Sequence, residues 1–253
     1  MHKCQEKYLF YKKKLVLTGY YLNSNMRGYM KNTAKREKET NREYALRVIR
    51  ENIVKLELAP GSMISEQDIA NELNLSRTPV HEAMQELSST KIIEILPQRG
   101  SHVSLIDMDL VDEAIFVRAT IESAITEMCC KQATEQDIQE LEENVTLQQF
   151  YFEKNNLDKI MELDNDFHEK MYRITKKMQC HYMIRLISIH YDRIRELHLH
   201  SFNPELIINE HQDILNAIKN RDAKAAKEAV SKHLSRKHTQ EDEIKKIFPQ
   251  YFA

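Results

Sequence analysis

Two short amphipathic segments meet across a connection of a few residues in the first third of this chain, and that junction constrains the fold more than any other feature. The first opens at Ser65, with Asp68 three places on in the pattern of a capping box, and carries Ile69, Ala70 and Leu73 at helical spacing. It ends at Asn74-Leu75. The second opens at Ser76, which can cap a first turn, places Pro79 where a missing amide donor costs little, and repeats Val80, Ala83, Met84 and Leu87 on one face. The spacing predicts a helix-turn-helix. Arg77, Thr78 and His81 put donors near the positive end of the second helix, where a polyanion would suit them, although the same residues also fit an ordinary capped helix.

What flanks the pair extends the reading. Tyr44, Ala45, Val48, Ile49, Ile53 and Leu56 recur at helical spacing and stop at Leu58-Ala59-Pro60-Gly61. After the pair come Ile92 to Leu96, the turn Pro97-Gln98-Arg99-Gly100, and Ser101 to Ser104, a small hairpin with an Arg-Gly tip. Three helices and such a hairpin make a winged helix-turn-helix over residues 41–104, whose expected partner is double-stranded DNA. The second helix of the pair would enter the major groove and the wing would reach the neighbouring backbone or minor groove. Residues 41–104 hold seven basic and nine acidic side chains, so any nucleic-acid surface there must be a small focused patch.

The basic excess lies earlier: residues 1–40 carry ten Lys or Arg against three Asp or Glu and are expected to form a flexible extension. Its apolar run, Leu15 to Leu22, is too short to span a membrane and has no clear cleavage site, so no membrane partner is expected. Cys4, Cys129, Cys130 and Cys180 form no disulfide-like framework, which fits a cytoplasmic protein.

In order and spacing, Glu57-Leu58-Ala59-Pro60-Gly61-Ser62, Ile64-Ser65-Glu66, Asp68-Ile69-Ala70, Leu73 to Val80 and Pro97 to Gly100 closely resemble the DNA-binding domain of GntR-type bacterial transcription regulators. The resemblance implies that Arg77 and Thr78, beside Ser76 at the helix start, contact DNA, with Arg47 on the first helix and Arg99 and Gly100 at the wing in support. One residue departs from the pattern. Where the family usually has an arginine after Thr-Pro-Val, this chain has His81, which offers at most one donor where arginine can grip guanine with two. Altered or weaker base preference is expected there, not loss of binding.

From a boundary near Ser104 to Asp107, residues 105–239 read as a second domain that is helical throughout, so the whole chain is expected to be mainly α. With only four glycines and five prolines the chain as a whole favours helix, and from Leu105 onward 27 acidic side chains outweigh 20 basic ones. Helices are expected over about 108–131, 134–153, 157–175, 181–200, 204–220 and 223–238, a six- or seven-helix bundle. Residues 240–253 form a tail whose Lys245-Lys246, Phe248 and Tyr251-Phe252 could dock on a neighbour or fray.

Inside that bundle Asp164 and His168 are four apart and share a helix face, while His211 and His233 fall on two other helices amid apolar neighbours. Buried polar side chains need partners. A carboxylate and three imidazoles suit a divalent transition metal, zinc first, with nickel or manganese possible. With eleven histidines in the chain, each of these also reads as an ordinary satisfied residue. Leu163-Asp164-x-x-Phe167-His168, the block from Glu210 to Asp222 and His233-Leu234 are, however, similar to the FCD effector domain of FadR-like GntR regulators. The resemblance implies that Asp164, His168, His211 and His233 bind a metal.

Arg118 and Glu122 match the same domain. Four apart, they could simply pair with each other. By the resemblance, Arg118 lines an effector cavity, where a guanidinium would offer paired donors to a small carboxylate. His190, His198, His200, Asn165 and Asp166 carry no comparable spacing argument. The expected protein is thus a homodimeric, ligand-responsive repressor reading a two-fold operator. The alternative is a metal-dependent enzyme of the bundle with an accessory DNA- or partner-binding domain, although no glutamate base is evident near the metal motif.

Overall fold

A computed structural model describes residues 30–96, 100–235 and 241–253. The chain is mainly helical, with a small sheet, and divides into two compact units. One comprises the described residues up to Val111 together with Ile189–Glu196 and Lys245–Ala253; the other comprises Asp112–Ser188 and Leu197–Ile244.

In the amino-terminal unit, α1 (Asn41–Val54) starts at Thr40, whose side chain and that of Glu43 form a reciprocal capping box. Next come β1 (Met63–Ile64), α2 (Glu66–Leu73) and α3 (Arg77–Ser89), followed by β2 (Ile93–Leu96) and β3 (Gly100–Val103). Ser65 caps α2 by accepting from the Asp68 amide, and Asn74 ends it in the left-handed conformation that asparagine tolerates. Ser76 occupies the N-cap of α3, but its side chain makes no capping bond. The expected hairpin is antiparallel, with Ile93 opposite Val103, and β1 pairs on the far side of β3, giving the order β1-β3-β2. Gly100 begins β3 at φ +91°, so the backbone calls for glycine, while a Cβ there would meet only the movable tip of the exposed Met63 side chain at 3.1 Å. Arg99, expected at the wing tip, lies outside the described residues.

The apolar stripes of the three helices converge. Val48, Ile49 and Ile53 of α1 and Val80, Ala83 and Met84 of α3 are fully buried, packed with Ile69, Leu73 and Ile93. Residues 30–40, placed by sequence within a flexible extension, lie along α1 instead. Met30 is buried, and the buried Asn52 side chain accepts from the Lys31 amide at 2.7 Å and donates to the Lys31 carbonyl at 3.1 Å. The carboxyl-terminal tail is likewise held by its own chain: the Ile106 amide donates to Tyr251 O at 2.7 Å, and the Ala253 amide to Ile106 O at 3.1 Å.

The remaining helices are α4 (Met108–Gln132), α5 (Glu135–Glu153), α6 (Leu157–Ile174), α7 (Met178–Ile187), α8 (Ile189–Ser201), α9 (Glu205–Lys219), α10 (Ala223–Ser235) and α11 (Glu241–Ile247). The expected capping box at Thr134 and Asp137 is present at the start of α5. The single helix expected from His181 to His200 is two helices, broken at Ser188, whose hydroxyl donates to the Ile184 carbonyl at 2.7 Å. In the helical unit the core is built from Leu141, Phe167, Met171, Ile214, Ile218, Ala226 and Val230, all essentially inaccessible.

Candidate metal centre and recognition surface

Helix α6 buries Ile160, Asp164, Phe167, His168, Met171 and Tyr172, so Asp164 and His168 sit on the stripe that faces the core. His211 comes from the buried face of α9 and His233 from that of α10. All four side chains are buried, and one ligand atom from each lies within 4.8 Å of the others. The three histidines and the aspartate picked from sequence therefore come together.

His211 and His233 are hydrogen-bonded through Nδ1, and Nδ1 of His168 lies against Glu122 as a close ion-pair contact without hydrogen-bond geometry. Glu122 Oε2 is 2.7 Å from Nδ1 of His168, Gln148 Oε1 is 2.8 Å from Nδ1 of His211, and Glu210 Oε2 is 2.9 Å from Nδ1 of His233. The Gln148 amide is itself oriented: its Nε2 donates to Asn144 Oδ1 at 2.7 Å, while Asn144 Nδ2 donates to the Leu163 carbonyl and to Asp166. Acceptors at Nδ1 keep the proton on that side of the His211 and His233 rings and leave their Nε2 lone pairs for the interior, and the Glu122 charge favours the same side of His168. Nε2 of His168 and of His233 are 3.2 Å apart, and Nε2 of His211 is 3.7 Å from Asp164 Oδ1. Metal–nitrogen bonds of about 2.0–2.1 Å put tetrahedral neighbours about 3.4 Å apart, so the set could hold a divalent ion after small adjustments. Phe167 stacks on the His211 ring at 4.5 Å and helps fix its plane.

Arg118 pairs with Glu122, as the simple i,i+4 alternative has it: Nε donates to Oε1 at 2.6 Å, and both residues are buried. Burial alone would raise the Glu122 carboxyl, but the Arg118 guanidinium and the His168 ring hold it well below the usual carboxylate range. Nearby, the fully buried Tyr172 hydroxyl and the buried Nδ1 of His181 have no hydrogen-bond partner among the described residues, and their rings are 5.2 Å apart. Burial, and after it the charge of Glu122, push the Tyr172 phenol up, while burial pushes the His181 ring down. An unpaired buried donor costs about 1–3 kcal/mol, which makes this pair a candidate for ligand contact. Sequence reasoning passed over Tyr172, His181, Gln148 and Glu210. The available signal was the polar pair Asn144 and Gln148 inside the stripe Ile138, Leu141 and Val145.

On the amino-terminal unit Ser76, Arg77, Thr78 and His81 are all exposed along the first turns of α3. Glu66 at the start of α2, also missed, contacts two of them: Arg77 Nε donates to its Oε2 at 2.7 Å, and His81 Nδ1 lies 2.7 Å from its Oε1. Burial raises the Glu66 carboxyl, but the bonds from His81 and Arg77 outweigh that and leave it below its ordinary value. Arg47 is not part of this face. Its side chain is only 14% exposed and is bound to Glu39 through two nitrogens and to the Thr33 hydroxyl. Gly100 is exposed at the head of β3.

Residues 42–103 match the model of the gntR family of bacterial regulatory proteins, and residues 113–236 match the FCD domain. The HTH-type transcriptional repressor RspR of Escherichia coli K12 is 34% identical over 189 residues, covering 74% of this chain and 83% of that protein. An uncharacterized HTH-type transcriptional regulator of Streptomyces ambofaciens is 28% identical over 215 residues, covering 85% of this chain and 90% of that protein. Among solved structures, Escherichia coli McbR/YncC shares the fold with a TM-score of 0.69 at 21% identity, over 84% of this chain and 99% of that one. A GntR regulator from Rhodococcus sp. RHA1 does so at 0.63 and 19% identity, over 83% and 98%.

Proposed function

Because the chain belongs to the GntR family of bacterial transcription regulators and carries an FCD domain, we propose that it is a metal-containing repressor that releases or grips its operator in response to a small organic acid. Membership of that family makes it a regulator and not an enzyme. The observation that carries the finer reading is the convergence of Asp164, His168, His211 and His233 within 4.8 Å. Zinc suits three neutral imidazoles and one carboxylate best, with nickel and manganese as alternatives, and the bound ion would supply Lewis acidity for gripping a carboxylate.

Arg118 is the second point of attachment for the acid, and the buried Tyr172 hydroxyl and His181 ring supply further contacts. Operator DNA is read by the exposed Ser76, Arg77, Thr78 and His81, with Arg99 and Gly100 at the wing. Arg47, bound to Glu39, is the weakest of the proposed contacts. Two copies of α3 in a homodimer would read a two-fold site. The repressor sense follows the name of RspR. No described helix is long and apolar enough to cross a membrane. A bacterial regulator that reads operator DNA works where the chromosome is, in the cytoplasm.

Gel-shift titration against the promoter region beside its own gene, with and without candidate carboxylates, tests the reading. A sequence-specific, salt-sensitive shift that an acid alters supports it; no specific shift under any condition sinks it.

A further inference from the structure

Arg77 and His81 are four residues apart on α3, so they share one exposed face, with side chains 68% and 51% exposed. Between them stands Glu66, only 15% exposed, with one oxygen toward each. A carboxylate only accepts hydrogen bonds. For His81 to bond Oε1 through Nδ1, the proton must therefore sit on Nδ1, and a neutral imidazole then carries only a lone pair at Nε2. Arg77, in contrast, gives Nε to Glu66 and keeps its two terminal amino groups as an end-on donor fork. The face thus offers paired donors at Arg77 and a single acceptor at His81.

In the major groove guanine shows only acceptors, O6 and N7, adenine sets an N6 amino donor beside an N7 acceptor, and cytosine N4 is a donor. The geometry points to Glu66 as the residue that fixes the His81 tautomer, so that His81 Nε2 accepts from an adenine N6 or cytosine N4 amino group where an arginine would take guanine. The inference rests on the reading that α3 docks in the major groove. Glu66 is a positioning residue that acts through His81 and Arg77, and His81 is the specificity determinant.

Glu66→Gln separates this role from a merely structural one. Arg77 has only donors and claims the single amide oxygen, so the amide nitrogen must donate to His81 Nδ1 and drive the proton to Nε2. His81 then donates. The experiment selects binding sites from randomised duplexes with the full chain, as wild type, Glu66→Gln and His81→Arg, at about pH 8, where an ordinary imidazole is neutral.

At one position per half-site the wild type is expected to prefer adenine or cytosine over guanine by about tenfold, the scale of one well-placed hydrogen bond. Glu66→Gln is expected to move that position to guanine or thymine, and His81→Arg to guanine. Guanine at that position in the wild type, no position that differs between wild type and His81→Arg, or a Glu66→Gln preference identical to wild type each overturns the assignment. Absence of specific binding by all three proteins instead overturns the DNA-binding reading on which it rests.

Discussion

Nε2 of His168 and Nε2 of His233 face each other across 3.2 Å in a site sealed from solvent, and each ring has a carboxylate at its opposite nitrogen. Two imidazole lone pairs at that distance repel unless a proton or a metal cation stands between or beside them. Anchors at Nδ1 deny the rings the easy remedy of turning away. The 3.2 Å separation suits either a proton shared by the two nitrogens or a cation held by both, and the donor set argued from sequence suits the cation.

The purified protein is expected to retain a divalent metal in stoichiometric amount, and His168→Ala and His233→Ala are expected to lose it. Elemental analysis of the three proteins decides the matter. Equal metal content in all three defeats the four-ligand assignment.

Gln148→Leu removes the acceptor that holds His211 Nδ1 and lets that ring rotate or change tautomer. Metal affinity should fall by about 10- to 100-fold, as for other partners that orient metal-bound histidines. Competition with a chelating dye measures it. Affinity within twofold of wild type would show that the Asn144–Gln148 relay plays no part in the site.

His190 gives the amino-terminal unit a defined acid sensitivity. Its Nδ1 accepts from the Asp107 amide at 3.1 Å and from the buried Arg193 guanidinium at 2.7 Å. Arginine can only donate, so the ring is neutral, with Nε2 3.3 Å from the Lys91 carbonyl. Burial first, and then the Arg193 charge, lower its pKa from 6.5 to about 4. The unfolded chain therefore binds a proton that the folded chain refuses between these values. The contribution is complete above pH 6.5 and lost as pH falls toward 4, at about 1.4 kcal/mol per pH unit at most. Urea midpoints of wild type and His190→Gln across that window should converge as pH falls. A constant difference contradicts the assignment.

Arg77→Ala should weaken operator binding by about 1–3 kcal/mol and relax preference at one base position, since it removes the donor fork that Glu66 holds outward. Equilibrium gel shifts on the selected site and on single-base variants test both effects. An unchanged base preference would reduce Arg77 to a phosphate contact.

The parts of the fold that were legible in sequence are those whose cause is local. Thr134 with Asp137 announces α5, and Val80, Ala83, Met84 and Leu87 mark the buried face of α3 within a dozen residues. Gly100 marks the start of β3. By contrast, β1 is two residues long and exists only because β3 offers it a free edge, so no periodicity could reveal it. The break at Ser188 has no glycine or proline to signal it.

The four clustered residues, Asp164, His168, His211 and His233, could be picked out because residue type and helix spacing survive in one dimension; the groups beside them were harder. Gln148 meets His211 across 63 positions of chain, and Glu210 was read only as part of a motif block. The ten residues before α1 looked like solvated basic chain. They are held because the buried Asn52 needs the backbone of Lys31.

Glu122 divides its two oxygens between Arg118 and His168. It cannot serve both independently. An acid drawn to Arg118 takes up part of the cationic field that Glu122 faces, and the carboxylate then lends more of its charge to the imidazole. If the bundle holds acid and metal as proposed, the two are linked through Glu122, and by reciprocity each would tighten the other by the same factor. Acid titrations at two fixed metal activities would return one shared affinity constant if the sites ignored each other. The expected outcome is two, with the tighter at higher metal, so that a cell short of metal would also hear its acid signal less well.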